Sequence, residues 1–277
     1  MIFGEKYYKI IEKNYLIENG EKMIYHQPHN SQGNYNYNMR KYENLSWAPH
    51  FHKNFELIFV SAGEISVTVN RKSYILKKKE AVLVLSNQIH SFSIPESSEA
   101  VVIVFSEQYV PKFASSVKGL EGESQLFSLD DSIYDFVCHY MVEKESDILM
   151  KKACLYAVCD QFLGCTKLRS RSDTGDSSVN SIIEYVSANC TRDITLQTVA
   201  EEFGYEYHYL SRLLNKGYSI SFSRLLGAYR TEVAIDLLES TSLSMSEIAI
   251  RSGFQSVRNF NIVFRQITGR TPKDFRI

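Results

Sequence analysis

Four side chains in this sequence could act together on a ligand if the fold brings them together: His50, His52 and Glu56 within HFHKNFELIFVSAG, and His90 within LVLSNQIHSF. In a strand, residues two apart share a face, so the rings of His50 and His52 would point the same way. Three imidazoles and a carboxylate that converge form a donor set suited to a divalent transition metal. The same groups would equally hydrogen-bond a polar small molecule, or serve as ordinary polar residues at strand ends, and residue types alone leave these uses open. A second set is suited to reading base edges. Arg212 and Arg258 can each make a bidentate contact to guanine, Asn259 suits adenine and Val257 a thymine methyl, a good pair being worth roughly 1–3 kcal/mol of discrimination. His208, Ser211 and Asn215 would share the outward face of Arg212, with Lys216 and Arg265 available to phosphate. Arg212 has the competing use of reaching phosphate alone, and Tyr209 beside it is expected to pack.

The base-reading set depends on a pattern that occurs twice. TLQTVAEEFGYEYHYLSRLLNKG (Thr195 to Gly217) and MSEIAIRSGFQSVRNFNIVFRQITG (Met245 to Gly269) align Val199-Ala200 with Ile248-Ala249, Gly204-Tyr205 with Gly253-Phe254, and Leu213-Leu214 with Val263-Phe264. Each copy predicts a short helix, a turn opened by glycine, and a second helix. Alanine permits close crossing of the two helices, and the glycine takes the left-handed conformation that ends the first. Leu210, Leu213 and Leu214, or Phe260, Val263 and Phe264, then recur at the spacing of one helical face, leaving the polar face free for a major groove. Between the copies, Phe222, Leu226, Tyr229, Val233 and Leu237 predict one long helix over Ser221 to Ser240. Ser244 with Glu247 forms a capping box, and Thr271-Pro272 opens a short closing helix.

The His/Glu set depends on strands. Phe55, Leu57 and Phe59 alternate, SAGE turns, Ile65, Val67 and Val69 alternate, and NRKS turns again. Apolar runs follow at Glu80 to Leu85 and Glu99 to Phe105, and Tyr35, Tyr37 and Met39 suggest a further strand, the residues before it being open between an arm and a short helix. Short strands at such spacing close into a barrel or sandwich. Two amphipathic patterns, Ser128 to Lys144 and Ile148 to Cys165, predict an antiparallel helical pair on the barrel. Their stripes are explained equally by burial within one subunit. Lys167 to Ser178 is polar and aperiodic, hence a linker, and a helix from Val179 to Cys190 leads into the rest. The reading is an α+β chain of two domains: a barrel with two helices over 1–166, a linker over 167–178, and an all-α double helix-turn-helix domain over 179–277.

Three stretches, YLSRLLNK (Tyr209 to Lys216), SEIAIRSGF (Ser246 to Phe254) and FRQITGRTPKDFR (Phe264 to Arg276), carry a specific resemblance. Thr195 to Arg276 resembles the DNA-binding domain of the AraC/XylS family of transcription regulators. His50 to Gly63 resembles the first motif of the cupin superfamily, and His90 stands where the second motif places its histidine, although Ser86, Asn87 and Gln88 replace the expected Pro-x-Gly. The resemblance implies a rigid pair of helix-turn-helix units reading two successive major grooves of double-stranded DNA. It implies a non-enzymatic regulator with a small-molecule effector, sugar-related by family habit, in a cupin-like barrel at Tyr37, His50, His52, Glu56 and His90, with no cofactor. A metal on His50, His52, Glu56 and His90 is the alternative use of those residues. It further implies a homodimer through the helical pair, and contact with RNA polymerase if the chain activates. Many family members carry arginine where Ile262 stands, which removes one contact. The enzymatic rival is a cupin metalloenzyme whose helical half serves in assembly.

Composition bounds these readings. With 277 residues, 44% of them apolar and 23% charged, the chain is long enough for two globular domains. It contains no apolar run of membrane-spanning length, and MIFGEKYYKIIEKNY is interrupted by charge too early for a secretory signal, so a cytoplasmic protein without membrane contact is expected. Five cysteines match no zinc spacing and are expected as core or half-exposed thiols, a redox sensor at Cys154, Cys159 and Cys165 being the alternative. Net charge is −1, so attraction to phosphate must be local. Arg251, Arg258, Arg265, Arg270, Lys273 and Arg276 face only Asp274 in the last stretch, which places that attraction on the second unit.

Overall fold

Period-two alternation between Tyr37 and Phe105 produces strands that wrap into a nearly closed antiparallel barrel, followed by a helical half. The computed structural model describes residues 25–26, 36–70, 72–170, 177–217 and 220–276. Tyr35 and the rest of the opening stretch, apart from the short β1 (Tyr25–His26), lie outside these. The barrel strands are β2 (Tyr37–Phe51), β3 (Phe55–Ala62), β4 (Glu64–Val69), β5 (Lys72–Lys77), β6 (Glu80–Val84) and β7 (His90–Phe105). Shorter pieces are β8 (Leu120–Gly122), β9 (Leu126–Ser128) and β10 (Leu168–Ser170). The sheet runs β1-β2-β7-β3-β6-β9, with β4 joined to β5 and β7. One edge of β7 is covered by β2, while the other pairs with β4 near His90 and with β3 from Glu99 onward. Such a split needs bent strands, and β2 has irregularities between Glu43 and Leu45 and between Trp47 and His50. Asn44, at φ 46, occupies the first of them.

Alternation also sorts the two cores. Ile58 and Val60 of β3 point into the barrel with Ile65, Val67, Val82, Phe92, Val102 and Val104. Phe55, Leu57 and Phe59 point out onto α1 (Pro111–Val117), α2 (Asp131–Val137) and α3 (Ile148–Cys165). The helix predicted from Ser128 starts later, because Leu126–Ser128 is used as β9 against β6. It then continues past α2 as a wider π-helical stretch over Cys138–Glu143. Nor is the predicted linker wholly irregular. Leu168, Arg169 and Ser170 pair with Gly122, Glu121 and Leu120, and the Arg169 guanidinium donates to Glu121 at 2.8 Å. Residues 171–176 lie outside the described residues, and α4 (Ser177–Asn189) begins two positions before Val179.

The helical half contains both predicted units. The first is α5 (Leu196–Glu202) and α6 (Tyr207–Arg212), the latter prolonged by a π-helical turn over Leu213–Gly217. The second is α8 (Met245–Arg251) and α9 (Val257–Thr268), and the closing turn is Pro272–Phe275. Gly204 and Gly253 carry φ 67 and 87. The Ser244 hydroxyl accepts from the Glu247 amide, and the Glu247 carboxylate accepts from the Ser244 amide at 2.8 Å. Such a reciprocal cap is worth about 0.5–2 kcal/mol.

The long helix α7 (Phe222–Ser240) differs from its predicted single stripe. Leu225, Leu226 and Tyr229 pack into the core of the first unit, whereas Ala234, Ile235 and Leu238 pack into that of the second. Phe222, Val233 and Leu237 are only half-buried. A helix set between two units is covered on more than one side, so its buried positions do not follow one face. Arg230 shows how the units are tied. Its side chain is buried, Nε donates to the Cys190 carbonyl at 2.8 Å and Nη2 to the Arg192 carbonyl at 3.0 Å. Gly253 rests on the same segment, for a Cβ there would lie 2.7 Å from the Cys190 oxygen and 2.8 Å from Thr191 Cα.

Candidate functional site

The recognition faces are open. His208, Arg212 and Asn215 of the first unit are exposed and Ser211 is half-buried, while Leu210 and Leu214 are fully buried beneath them. Arg212 Nε donates back to the His208 carbonyl at 3.3 Å, and Asn215 Nδ2 to the Ser211 carbonyl at 2.8 Å. The Lys216 side chain lies outside the described residues. Tyr209 does not pack inward as expected: it is 47% exposed, against the ring of Tyr205 at 5.3 Å. In the second unit Arg258, Asn259, Ile262 and Arg265 are exposed and Val257 half-buried, over fully buried Phe260 and Phe264. Arg251, Arg270, Lys273 and Arg276 are exposed nearby. The cationic surface thus lies on the second unit, where the sequence puts it.

Within the barrel, His50, His52, Glu56 and His90 come together. His50, next to last in β2, lies directly opposite His90 on β7, with ring centroids 4.1 Å apart. His52 follows the strand by one residue, and Glu56 enters from β3. One donor atom from each of the four lies within 4.8 Å of the others, and each residue is 1–2% exposed. Tyr37 is not with them. It lies at the far end of β2 beside Tyr109 and Lys151, in the core under the helices. Twelve residues of β2 and two irregularities lie between it and His50, so strand alternation does not bring the two together.

Hydrogen bonding fixes what this cluster can hold. The Nδ1 of His50 is 2.9 Å from the Ala48 carbonyl, that of His52 2.9 Å from the Asn54 carbonyl, and that of His90 2.9 Å from the Gln88 carbonyl. A carbonyl oxygen only accepts, so each Nδ1 carries the proton and donates. In a neutral ring Nε2 is then a bare lone pair. Burial drives the His50 ring well below its ordinary pKa, with His90 adding to the effect, and burial lowers His52 as well. Burial would raise the Glu56 carboxyl, but the neighbouring His90 and the contact from His52 outweigh it and hold that group well below its usual range.

The ring nitrogens turned away from those carbonyls and the Glu56 carboxylate therefore face one another. His52 Nε2 is 3.1 Å from Glu56 Oε2 and His90 Nε2 is 3.4 Å from Glu56 Oε1, and both His90 Nε2 and Glu56 Oε1 lack a hydrogen-bond donor. Buried polar atoms left without a partner carry a desolvation cost that a bound cation would remove. Tethering of the outer ring nitrogen to a carbonyl is the arrangement that orients histidine toward a metal. The residues fit a divalent transition ion. Their donor atoms lie within 4.8 Å of one another, the spacing of a small ion's ligands.

The strand ends that carry this cluster also touch the helical half. Phe51, between His50 and His52, is fully buried and packs with Val179, Ile182, Ile183 and Val186 of α4 and with Tyr229 of α7. Burial of such a ring is worth about 1.5–3 kcal/mol. The Tyr229 hydroxyl donates to Asn87 Oδ1 at 2.7 Å, and the Asn87 amide donates to the His52 carbonyl at 2.9 Å. Asn87 has φ 63. It adopts the left-handed backbone for which glycine is the usual choice, which is how the turn before His90 forms without Pro-x-Gly. Sequence reasoning missed Phe51, Asn87, Tyr229 and Arg230. Only Asn87 carried a signal, as the departure from the motif.

Beside this interface is a cavity of about 370 Å³ lined by Phe55, Leu85, Ser86, Asn87, Glu107 and, from α4, Glu184, among others. The cysteines are less eventful. Burial pushes the Cys154 and Cys190 thiols up to about 11 and Cys159 higher still, which opposes the thiolate a redox sensor needs.

Comparison with known proteins agrees with both halves. Residues 199–277 match the family described as "Helix-turn-helix domain", and residues 43–106 match "Cupin domain". The Bacillus subtilis HTH-type transcriptional regulator YtdP is 24% identical over 155 residues, which is 55% of this chain and 19% of that protein. The chain spans about a fifth or less of the length of the curated relatives it matches. Among solved structures, the C-terminal domain of AraT, a response regulator from Geobacillus stearothermophilus, is 35% identical, with a TM-score of 0.34, covering 36% of this chain and 83% of that one. ToxT from Vibrio cholerae is 14% identical, with a TM-score of 0.45, covering 88% of this chain and 98% of that one. With a duplicated helix-turn-helix half behind a cupin barrel, the chain belongs to the AraC/XylS family of transcription regulators.

Proposed function

We propose that the chain is a sequence-specific DNA-binding regulator whose barrel senses a divalent transition metal rather than a sugar. The observation that carries the DNA-binding part is the pair of open recognition faces held by one shared helix through Arg230. Arg212, Arg258 and Asn259 read bases, and Arg251, Arg265 and Arg270 engage phosphate. No helix among the described residues is long and apolar enough to cross a membrane.

The sensory part rests on His50, His52, Glu56 and His90. A metal bound there would supply the positive charge that Glu56 Oε1 and His90 Nε2, buried without a hydrogen-bond partner, lack. The chain's own contribution is to hold three rings in one tautomer through the carbonyls of Ala48, Asn54 and Gln88. A metalloenzyme is the poorer reading, because Ile58, Val60, Val67, Val82, Phe92 and Val104 fill the barrel around the cluster, where a substrate would have to lie. The cavity near Glu107 and Glu184 supports a second reading, an organic effector seated between the halves; its volume falls within the range of ligand pockets.

The test of DNA reading is selection of binding sites from a random duplex pool, followed by titration of the selected site at several salt concentrations. Arg258→Ala and Arg212→Ala are each expected to lower affinity for that site roughly 5- to 150-fold, corresponding to 1–3 kcal/mol, and to relax preference at one base pair. If both variants select the same sequence with undiminished affinity, the assignment of these readers is wrong.

A further inference from the structure

We infer that the His/Glu cluster is wired to the DNA-binding half through Phe51 and Asn87, so that cation binding in the barrel fixes how that half is docked. This rests on the reading of the cluster as a metal site. Two short links lead outward from it. Phe51 is covalently between two of the four residues, and alternation sends its ring to the opposite side, into the core formed by α4 and α7. Asn87 donates its backbone amide to the His52 carbonyl, and its side chain accepts from the Tyr229 hydroxyl. Gln88, the next residue, holds the His90 ring through its carbonyl.

Glu56 Oε1 and His90 Nε2, buried without a hydrogen-bond partner, gain one when a cation binds, and this gives the cluster two arrangements. With a cation, His50 and His52 are drawn inward, and Phe51 and Asn87 stand where α4 and Tyr229 meet them. Without one, nothing offsets the cost of those two atoms, and the rings, with the backbone of β2 and of the turn before His90, are freer to move apart. That displacement reaches the docking residues directly, with no intermediate element. Asn87 is central to the link. A glycine at the same φ would form the turn equally well, but only a side chain reaches α7. The Asn87 side chain is therefore what makes the connection.

Hydrogen–deuterium exchange of the full chain tests this, with Mn²⁺, Ni²⁺ or Zn²⁺ added separately to chelator-treated protein. In the wild type, an ion is expected to slow exchange both in barrel segments around residues 50–58 and 88–94 and in helical segments 179–189 and 223–231. The slowing in the helices should fall in the roughly 5- to 150-fold range typical of coupled sites. Asn87→Gly keeps the left-handed backbone and removes the amide, and Phe51→Leu shortens the packed side chain. In both, the barrel should still respond to the ion while the helical response shrinks. A barrel response without any helical response in the wild type overturns the wiring and leaves the metal reading intact. Helical slowing that is undiminished in both variants assigns the coupling to other residues and overturns the inference as stated. No response in the barrel to any of the three ions removes the metal reading, and the inference with it.

Discussion

Gly253→Ala is expected to unfold the helical half at markedly lower urea than the wild type, whereas Gly204→Ala, its counterpart in the first unit, produces a much smaller shift. Both glycines have left-handed φ, 87 and 67, so each alanine incurs the strain of that conformation, about 1–2 kcal/mol. Their surroundings differ. At Gly204 a Cβ meets nothing within 4 Å. At Gly253 it lies 2.7 Å from the Cys190 oxygen, 2.8 Å from Thr191 Cα and 3.0 Å from Arg230 Nε. Two of those neighbours are backbone and the third is held by its bond to Cys190, so none yields freely. Overpacking of this kind adds about 1–3 kcal/mol, for a total of roughly 2–5 kcal/mol at Gly253. Circular dichroism would follow the helices, and Trp47, the only tryptophan, would report the barrel. Equal destabilisation by the two variants would mean that the second turn does not rest on residues 190–191.

Removing metal should lower the midpoint of barrel unfolding in the wild type and leave Glu56→Gln unmoved. A ligand at about 100 to 1,000 times its dissociation constant stabilises a folded state by roughly 2.7–4.1 kcal/mol. For a domain of this size that is on the order of 5–15 °C. Glu56 supplies the one anionic donor of the four and the one negative charge to match a dication. Replacement by the isosteric amide keeps the volume and weakens affinity by more than the 10–100-fold that loss of a mere outer partner costs. The apo protein adds a second comparison. Buried acceptors without donors destabilise it, so metal-free Glu56→Gln, with its carboxylate gone, should match or exceed the metal-free wild type. A chelator that moves both proteins equally, or neither, would show that the cluster holds no ion.

Much of the fold was legible because its signals are local. Ser244 and Glu247 cap α8 as their spacing requires, Ala200 and Ala249 are fully buried at their crossings, and α3 spans Ile148–Cys165 as its stripe predicts. The family resemblance supplied the barrel topology and the pairing of His90 with the His50 motif. Long-range relations were less accessible. Tyr37 shares a strand with His50, and sequence gives no measure of how far along a bent strand two residues stand. Phe51 reads as one more strand aromatic, yet it belongs to the core of the other half. The stripe on α7 was drawn for a helix with one buried side, and this helix serves two cores. Burial alone would have suggested a polar pocket at the cluster. The three carbonyl bonds to Nδ1 are what favour the proposed ion site over it.

Arg230 has a consequence for the DNA itself. Because its guanidinium clasps the carbonyls of Cys190 and Arg192 from the helix common to both units, neither unit can swivel on its own. Along B-form duplex, about 10–10.5 base pairs bring the same groove back to the same side. An operator lengthened by about half that repeat between its two subsites would present the second one on the far side, where the Arg230 clasp opposes the rotation needed to follow it. Spacing between subsites should thus be more strictly constrained in its targets than the letters at any single position.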